Sequence, residues 1–439
     1  MLQKLASVWE SLRTSLWFLP SLIVGGSVGL ALGMVELDGF SSREQLMERW
    51  PRLFGAGAEG SRGLLSAIAS SMITVAGVTF SITVVALALA SSQYTSRILA
   101  NFMRDRANQA VLGVFVGVFA YSLVVLRTIR GGEDGVFVPG LAVLVALVLA
   151  LVAIGFLIFF IHHIAASIQA NSIIATTARE TLRAIDRLFP VGVGVTAQGP
   201  LDEQPSDSAP LEWAPIPAAK TGYVQRVDGD ALFDIARASG VTLRMDCGIG
   251  EFIVEGSRLA SVSGSQAAAE VVDRTNAAFT LGKRRTVTQD AAYGIRQLVD
   301  VALKALSPGV NDTTTATTCL DFLGSLLARL VERRIEAPYR SDDCTLRLIT
   351  RGPTFDGLLN ESLEQIRQNA ESNVAVLVRL LEVLRLLVER TTDARRQEAL
   401  LQHVQWITDS AGRGVPAVQD RASIHAAAAR VRTAARRAG

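Results

Sequence analysis

The chain has 439 residues, enough for two or three domains. Hydrophobic residues make up 49% and mean hydropathy is +0.33, both high for a fully soluble protein. The net charge of only +2 removes any global electrostatic case for nucleic acid. Cys247, Cys319 and Cys344 stand far apart with no CxxC spacing, so they read as reduced, buried thiols and not as a disulfide frame or zinc site.

The apolar excess is concentrated in four runs, at about 15–34, 64–90, 110–126 and 136–161. Each approaches or exceeds the roughly 20 residues a spanning helix needs, and none contains a charged residue. Trp17 and Phe18 open the first run, where interfacial aromatics belong. A cleaved leader is disfavoured there because the run exceeds the usual leader core of about 7–15 residues. Lys4 and Arg13 face Glu10 before the first run, and Arg97, Arg104 and Arg106 face Asp105 between the second and third. Arg179, Arg183 and Arg187 follow the fourth. The other two loops are balanced in charge. Lys/Arg excess marks the cytoplasmic side, so both termini and everything from about residue 162 are expected there.

The second run differs in kind. Ser66, Ser70, Thr74, Gly77 and Ser81 recur at spacings of four and three, hence on one helix face. Small and hydroxyl residues of this sort either pack helices closely or line a path for an ion or small solute. The two readings merge if the packing surrounds a symmetry axis.

No Gly or Pro interrupts 156–189, so one helix over 141–189, roughly 75 Å long, is predicted to join membrane and cytoplasm. Its cytoplasmic half carries a heptad-like seam of Ile164, Ile168, Asn171, Ala175, Ala178, Leu182, Ile185 and Phe189. Ordinary packing on the following domain is the plainer reading. His162 and His163 mark the membrane edge. Adjacent helical residues face about 100° apart, which suits anchoring or packing better than a shared metal ion.

Residues 190–220, rich in Pro, small residues and acids, read as a linker. GYVQRV and VTLRMD then look like strands, DALFDIARA like a helix, and GEFIVEGSRLASV like strand, turn and strand. This segment, 221–264, is similar to barrel-sandwich domains of the biotinyl/lipoyl type. No lysine lies between Lys220 and Lys283, however, which disfavours a carrier role.

QAAAEVVDRTNAAFTLG reads as a helix closing at Gly282, and VTQDAAYGIRQLVDVALKAL as a second. On the second, Asp290, Tyr293, Gln297, Asp300 and Lys304 share a face, and Arg296 and Asp300 are an i,i+4 pair. Ser307-Pro308-Gly309 ends it, with Gly309 free to turn left-handed, and Asn311 or Asp312 caps the next helix. That corner is either purely structural or, with Arg284, Arg285, Gln289, Asp290, Arg296 and Asp300 upstream, a cytoplasmic polar site. Further on come a strand, TLRLITRG, and two helices, GLLNESLEQIRQNAES and VAVLVRLLEVLRLLVERTT. The basic tail, 413–439, carries Arg430, Arg432, Arg436 and Arg437, suited either to anionic headgroups or to solvent. There is no nucleophile elbow, P-loop or HExxH helix, so no enzyme, metal or cofactor is expected.

Four stretches together are similar to the domain-of-unknown-function family 2254 of predicted bacterial membrane proteins. They are SSMITVAGVTFSITVVALALASSQYTSRIL (70–99), GYV…EFIVEG, FTLGKRRTVTQDAAYGIRQLVDVALKALSPGVNDTTTA (279–316) and PTFDGLLNESLEQIRQ (353–368). The family pattern often has a proline after Asn-Asp where this chain has Thr313, a departure expected to loosen the corner. The resemblance implies a bacterial inner-membrane protein and brings no established activity.

The expected fold is a polytopic α-helical membrane protein with four transmembrane helices. Its cytoplasmic domain is expected to be mostly helical with a small β-rich module. The expected divisions are a membrane domain 1–163, a helical extension 164–189, the linker, the β module and a helical domain 265–412. The leading functional expectation is a homo-oligomer that forms or gates a path for ions or small solutes. The other is a membrane-anchored ligand-binding or signalling module. Expected partners are the lipid bilayer, further copies of the chain, and an ion or small anion, with no nucleic acid.

Overall fold

Where no water is at hand, a backbone satisfies its own polar groups only as a helix or a closed barrel. In the computed structural model the four apolar runs are helices: α1 (Phe18–Phe40), α2 (Ala58–Gln93), α3 (Arg106–Thr128) and α4 (Gly140–Ser167). All four are long and apolar enough to cross a membrane. The structure describes residues 17–40, 57–93, 105–130, 137–167, 169–189, 212–333, 335, 338–342, 345–370 and 372–438. Most of the expected linker, 190–211, lies outside them, as do Ile168 and Cys344. The chain divides into two compact units, Met1–Ser172 and Ile173–Gly439, described in turn.

In the first unit α3 is the central helix, and Phe115, Val118, Tyr121 and Val125 are buried along it. It approaches α1 through Gly113 and Gly117. A Cβ on Gly113 would lie 2.8 Å from Ile23 Cδ1, and one on Gly117 2.6 Å from Ser27 Oγ. This small-xxx-small spacing lets two membrane helices touch backbone to side chain. Polar residues fix the remaining register. Asp38, near the end of α1, accepts from Leu141 N at 3.0 Å and Ala142 N at 2.9 Å, capping α4. Tyr121 donates its hydroxyl to Ala142 O at 2.9 Å, and Arg62 donates to Ile129 O at 2.9 Å.

The expected continuous helix over 141–189 is two helices. α4 ends at Ser167, and α5 (Ala170–Leu188) starts after Gln169 N turns back to Ala166 O. The expected seam is packed in part, with Ile164, Ala178, Ile185 and Phe189 buried and Ala175 and Leu182 half-buried. Asn171 is exposed, whereas α5 buries Ile173, Ile174, Thr177, Ala178, Thr181, Ala184 and Ile185. A 3.6-residue stripe facing a broad domain surface replaces the narrower 3.5-residue seam.

The second unit contains two sheets. Strands β1 (Trp213–Pro217), β5 (Arg258–Ser263), β3 (Leu243–Met245), β8 (Thr345–Ile349) and β7 (Tyr339–Asp342) form one in that order, with only β3–β8 parallel. β4 (Phe252–Ile253), β2 (Gly222–Val227) and β6 (Phe279–Gly282) form the other, antiparallel. Two helices, α6 (Gly229–Ala238) and α7 (Ala269–Ala278), join the β core, in which Ile216, Leu232, Leu243, Leu259 and Leu348 are fully or almost fully buried. Residues 213–217, read as linker, form an edge strand. Ala214 and Ile216 turn inward, and Pro215 and Pro217 are tolerated because an edge needs fewer donors. Residues 279–282, read as the end of a helix, pair with β2. The remainder is helical: α8 (Ala291–Ala305), α9 (Thr313–Val331), α10 (Phe355–Asn369), α11 (Val374–Val388), α12 (Ala394–Gly414) and α13 (Val418–Ala438). Leucine-rich α11 is buried among α9, α12 and α13, and Gly324 on α9 receives the Val383 side chain. The basic tail is helix α13, whose inner face of Ile424, Ala427, Ala428, Val431 and Ala435 leaves Arg430, Arg432, Arg436 and Arg437 exposed.

Candidate functional site

The segment between β6 and α8 is held by its own polar side chains. Asp290 caps α8, its Oδ1 accepting from Tyr293 N at 2.9 Å. Arg285 forks onto the same carboxylate, from Nε at 2.8 Å and Nη2 at 3.0 Å, and lies 5.1 Å from the centre of the Tyr293 ring. Asp290 is only 5% exposed, so the guanidinium and the helix N-terminus together supply the donors that its buried charge requires. Gly250, at φ +84°, closes over the pair. A Cβ there would lie 2.3 Å from Asp290 Oδ2 and 2.8 Å from Arg285 Nη2. Gln289 Oε1 accepts from Val227 N at 3.0 Å, and Gln225 donates to Arg284 O at 2.6 Å, so both tie the segment to β2. The Arg284 side chain is exposed.

The other sequence candidates lie elsewhere. Arg296 bridges Asp300 at 2.9 Å and Glu361 at 3.3 Å, linking α8 to α10. Asn311 and Asp312 lie past the far end of α8, a 15-residue helix about 22 Å long. They therefore do not join Arg285 and Asp290 in one site. At this corner the left-handed residue is Asn311, φ 49°, and not Gly309. Asp312 is the cap, accepting from Thr315 N at 2.9 Å and Thr315 Oγ1 at 2.6 Å. Those bonds, the hydroxyl's first, hold its carboxyl below the usual carboxylate range despite some desolvation. Thr313 accepts from Asn373 Nδ2 at 2.9 Å, and Asn373 caps α11. The residue that departs from the family pattern thus contributes a side-chain hydrogen bond between the corner and the start of α11. About two helix turns on from Asp312, burial first and the Asp312 charge second push the Cys319 thiol up to about 12. Cys247 is likewise buried and free, raised to about 11 chiefly by desolvation. Such thiols are poor nucleophiles at neutral pH.

In the first unit Ser66, Ser70, Thr74, Gly77 and Ser81 are all exposed along α2. The opposite face buries Leu65, Ile68, Met72, Ala76, Thr79 and Ala86 against the bundle. Nothing lies within 4 Å of where a Gly77 Cβ would be, and Thr74 returns its hydroxyl to Ser70 O at 2.8 Å. Large apolar residues border the face, Ile73 and Phe80 on one shoulder and Val78 and Val85 on the other, all exposed. At the bundle edge His163 pairs with Asp105, which caps α3 through Ala107 N, and stacks on Phe159 at 5.4 Å. His162 is exposed. Sequence reasoning missed the partners Asp38, Tyr121 and Asp105. The one signal was that Asp38 and Asp105 each flank an apolar run.

Four apolar helices with capped, interlocking ends, followed by a unit of two sheets and packed helices, define a helical membrane protein with a large mixed domain. The chain belongs to the family DUF2254, described as "Predicted membrane protein", which matches residues 13–386. It is 32% identical to an uncharacterized protein of Mycobacterium bovis and to one of Mycobacterium tuberculosis, over the whole of this chain and 84% of each relative. No solved structure matches.

Proposed function

We propose that the chain assembles with copies of itself through α2, and that the assembly forms or gates a path for ions or small solutes. One observation carries this reading. The hydroxyl and glycine face of α2 points away from its own bundle, where a lipid-facing helix would present bulky apolar residues. Small residues bordered by Ile73, Phe80, Val78 and Val85 suit close approach of a second helix. Around an axis, the same hydroxyls would face a shared centre. The Arg285–Asp290 clamp speaks less for the alternative, a membrane-anchored ligand-binding module, because its donors and acceptors already satisfy one another. The loop charges support an inner-membrane protein with both termini and the second unit on the cytoplasmic side.

Purified protein in liposomes is expected to pass ions, and Ser70→Leu or Thr74→Leu to change that flux at least tenfold. Absence of flux across salts, voltages and membrane tension removes the conduction reading. A thermal-shift screen of anions, nucleotides and lipids tests the alternative: a ligand whose stabilisation is lost in Arg296→Gln would favour it.

A further inference from the structure

Helix α5 begins three residues after α4 ends. It is strongly two-faced. Two contacts hold it to the second unit: Thr181 on the inward face meets Gly294 of α8, and Asp186, on an exposed shoulder, binds Arg329 of α9 and Arg333 just past its end. This packing leaves Arg179, Arg183 and Arg187 on the outside, at i, i+4 and i+8, a stripe about 12 Å long. All three are exposed, and none makes an ion pair among the described residues. Of the two acids on the helix, Asp186 is engaged by Arg329 and Arg333, and Glu180 is half-buried. The outward face therefore presents uncompensated positive charge directly after a membrane span.

We propose that this stripe is a docking surface for anionic phospholipid headgroups of the leaflet next to the end of α4. Guanidinium groups match phosphate oxygens in fork geometry, and basic residues on a juxtamembrane amphipathic helix are drawn to an anionic leaflet. No aromatic residue lies on α5, which leaves nothing to stack nucleic-acid bases. The bilayer is the anionic surface that the covalent connection to α4 keeps within reach. The inference does not depend on conduction.

The test uses the full chain in nanodiscs of phosphatidylcholine alone or mixed with anionic phosphatidylglycerol, read by hydrogen exchange of the α5 amides. Exchange is expected to be roughly tenfold slower with the anionic lipid, and the difference to vanish at high salt, where surface charges are screened. The triple variant R179Q/R183Q/R187Q should lose the difference and R179K/R183K/R187K should keep it. The amides of α10 act as the internal control and should not change. Equal exchange of wild-type α5 in the two lipids overturns the proposal, and is the result expected if the stripe instead meets an acidic protein. Salt insensitivity of the wild type also overturns it, without relying on any variant folding.

Discussion

At the scale of single residues, the polar side chains around the start of α8 bond to one another and to neighbouring backbone. Gly250 is the sharpest case, because it combines a left-handed backbone with a carboxylate against its α-carbon. Gly250→Ala is expected to cost about 2–5 kcal/mol, the sum of φ strain and overpacking. Gly240→Ala, at φ +67° but with open space around it, should cost only the strain. Thermal unfolding of the two variants in one detergent checks this, and equal losses would mean that the Arg285–Asp290 pair does not resist the intrusion. His403 makes a pH prediction. Burial, outweighing the opposing Glu364 charge, lowers it from its ordinary 6.5 to about 4. Its folded pKa is depressed, so the unfolded chain binds the proton more readily. The resulting stability is present above about pH 6.5 and lost as pH falls towards 4, on the order of 3 kcal/mol in all. His403→Phe should flatten the unfolding midpoint across that window. A profile as steep as that of the wild type would assign the acid sensitivity elsewhere.

At the scale of elements, small residues decide which helices approach. A Cβ on Gly294 would lie 2.0 Å from Thr181 Oγ1, so α5 and α8 meet at a distance that only glycine permits. Gly294→Ala should destabilise the second unit by about 1–3 kcal/mol, and adding Thr181→Ala should restore part of that. Simple additivity of the two changes in a double-mutant cycle would count against the contact. Residues 156–189 carry no helix breaker, which is why sequence reading ran the helix through them. The break after Ser167 leaves α5 free to lay its inner face on α8 and α9, a choice made by tertiary packing. The same logic explains residues 279–282 and 213–217. Their local patterns are ambiguous, and strand pairing with β2 and β5 decides them.

At the scale of the whole molecule, the exposed face of α2 makes association testable without any flux assay. Ser70→Cys in native membranes should give a cross-linked dimer under mild oxidation. Phe115→Cys, buried against the bundle core, should not. Monomer at every oxidant concentration would leave the hydroxyl face to lipid and remove the basis of a shared path. Cys247 and Cys319 are buried, and the third cysteine, Cys344, is replaced by Ser in both variants to remove its background.

Sequence by itself determined the four membrane helices, the strands of GYVQRV and GEFIVEGSRLASV, and the stop, turn and cap at 306–312. Each depends on local physics: hydrocarbon thickness, period-two alternation, and the chemistry of proline and capping acids. It also marked Asp290, Arg296 and Asp300 as polar residues on a helix, with Arg285 in the segment leading into it. Only the tertiary structure decided that Asp290 and Asp312 stand at opposite ends of α8 and that Gly250, forty residues earlier, seals the first of them. It also decided that the α2 hydroxyls turn outward and that three arginines first read as markers of topology share one exposed face. Periodicity says which residues share a side of a helix. Which side meets the protein is fixed by long-range contacts that no local pattern encodes.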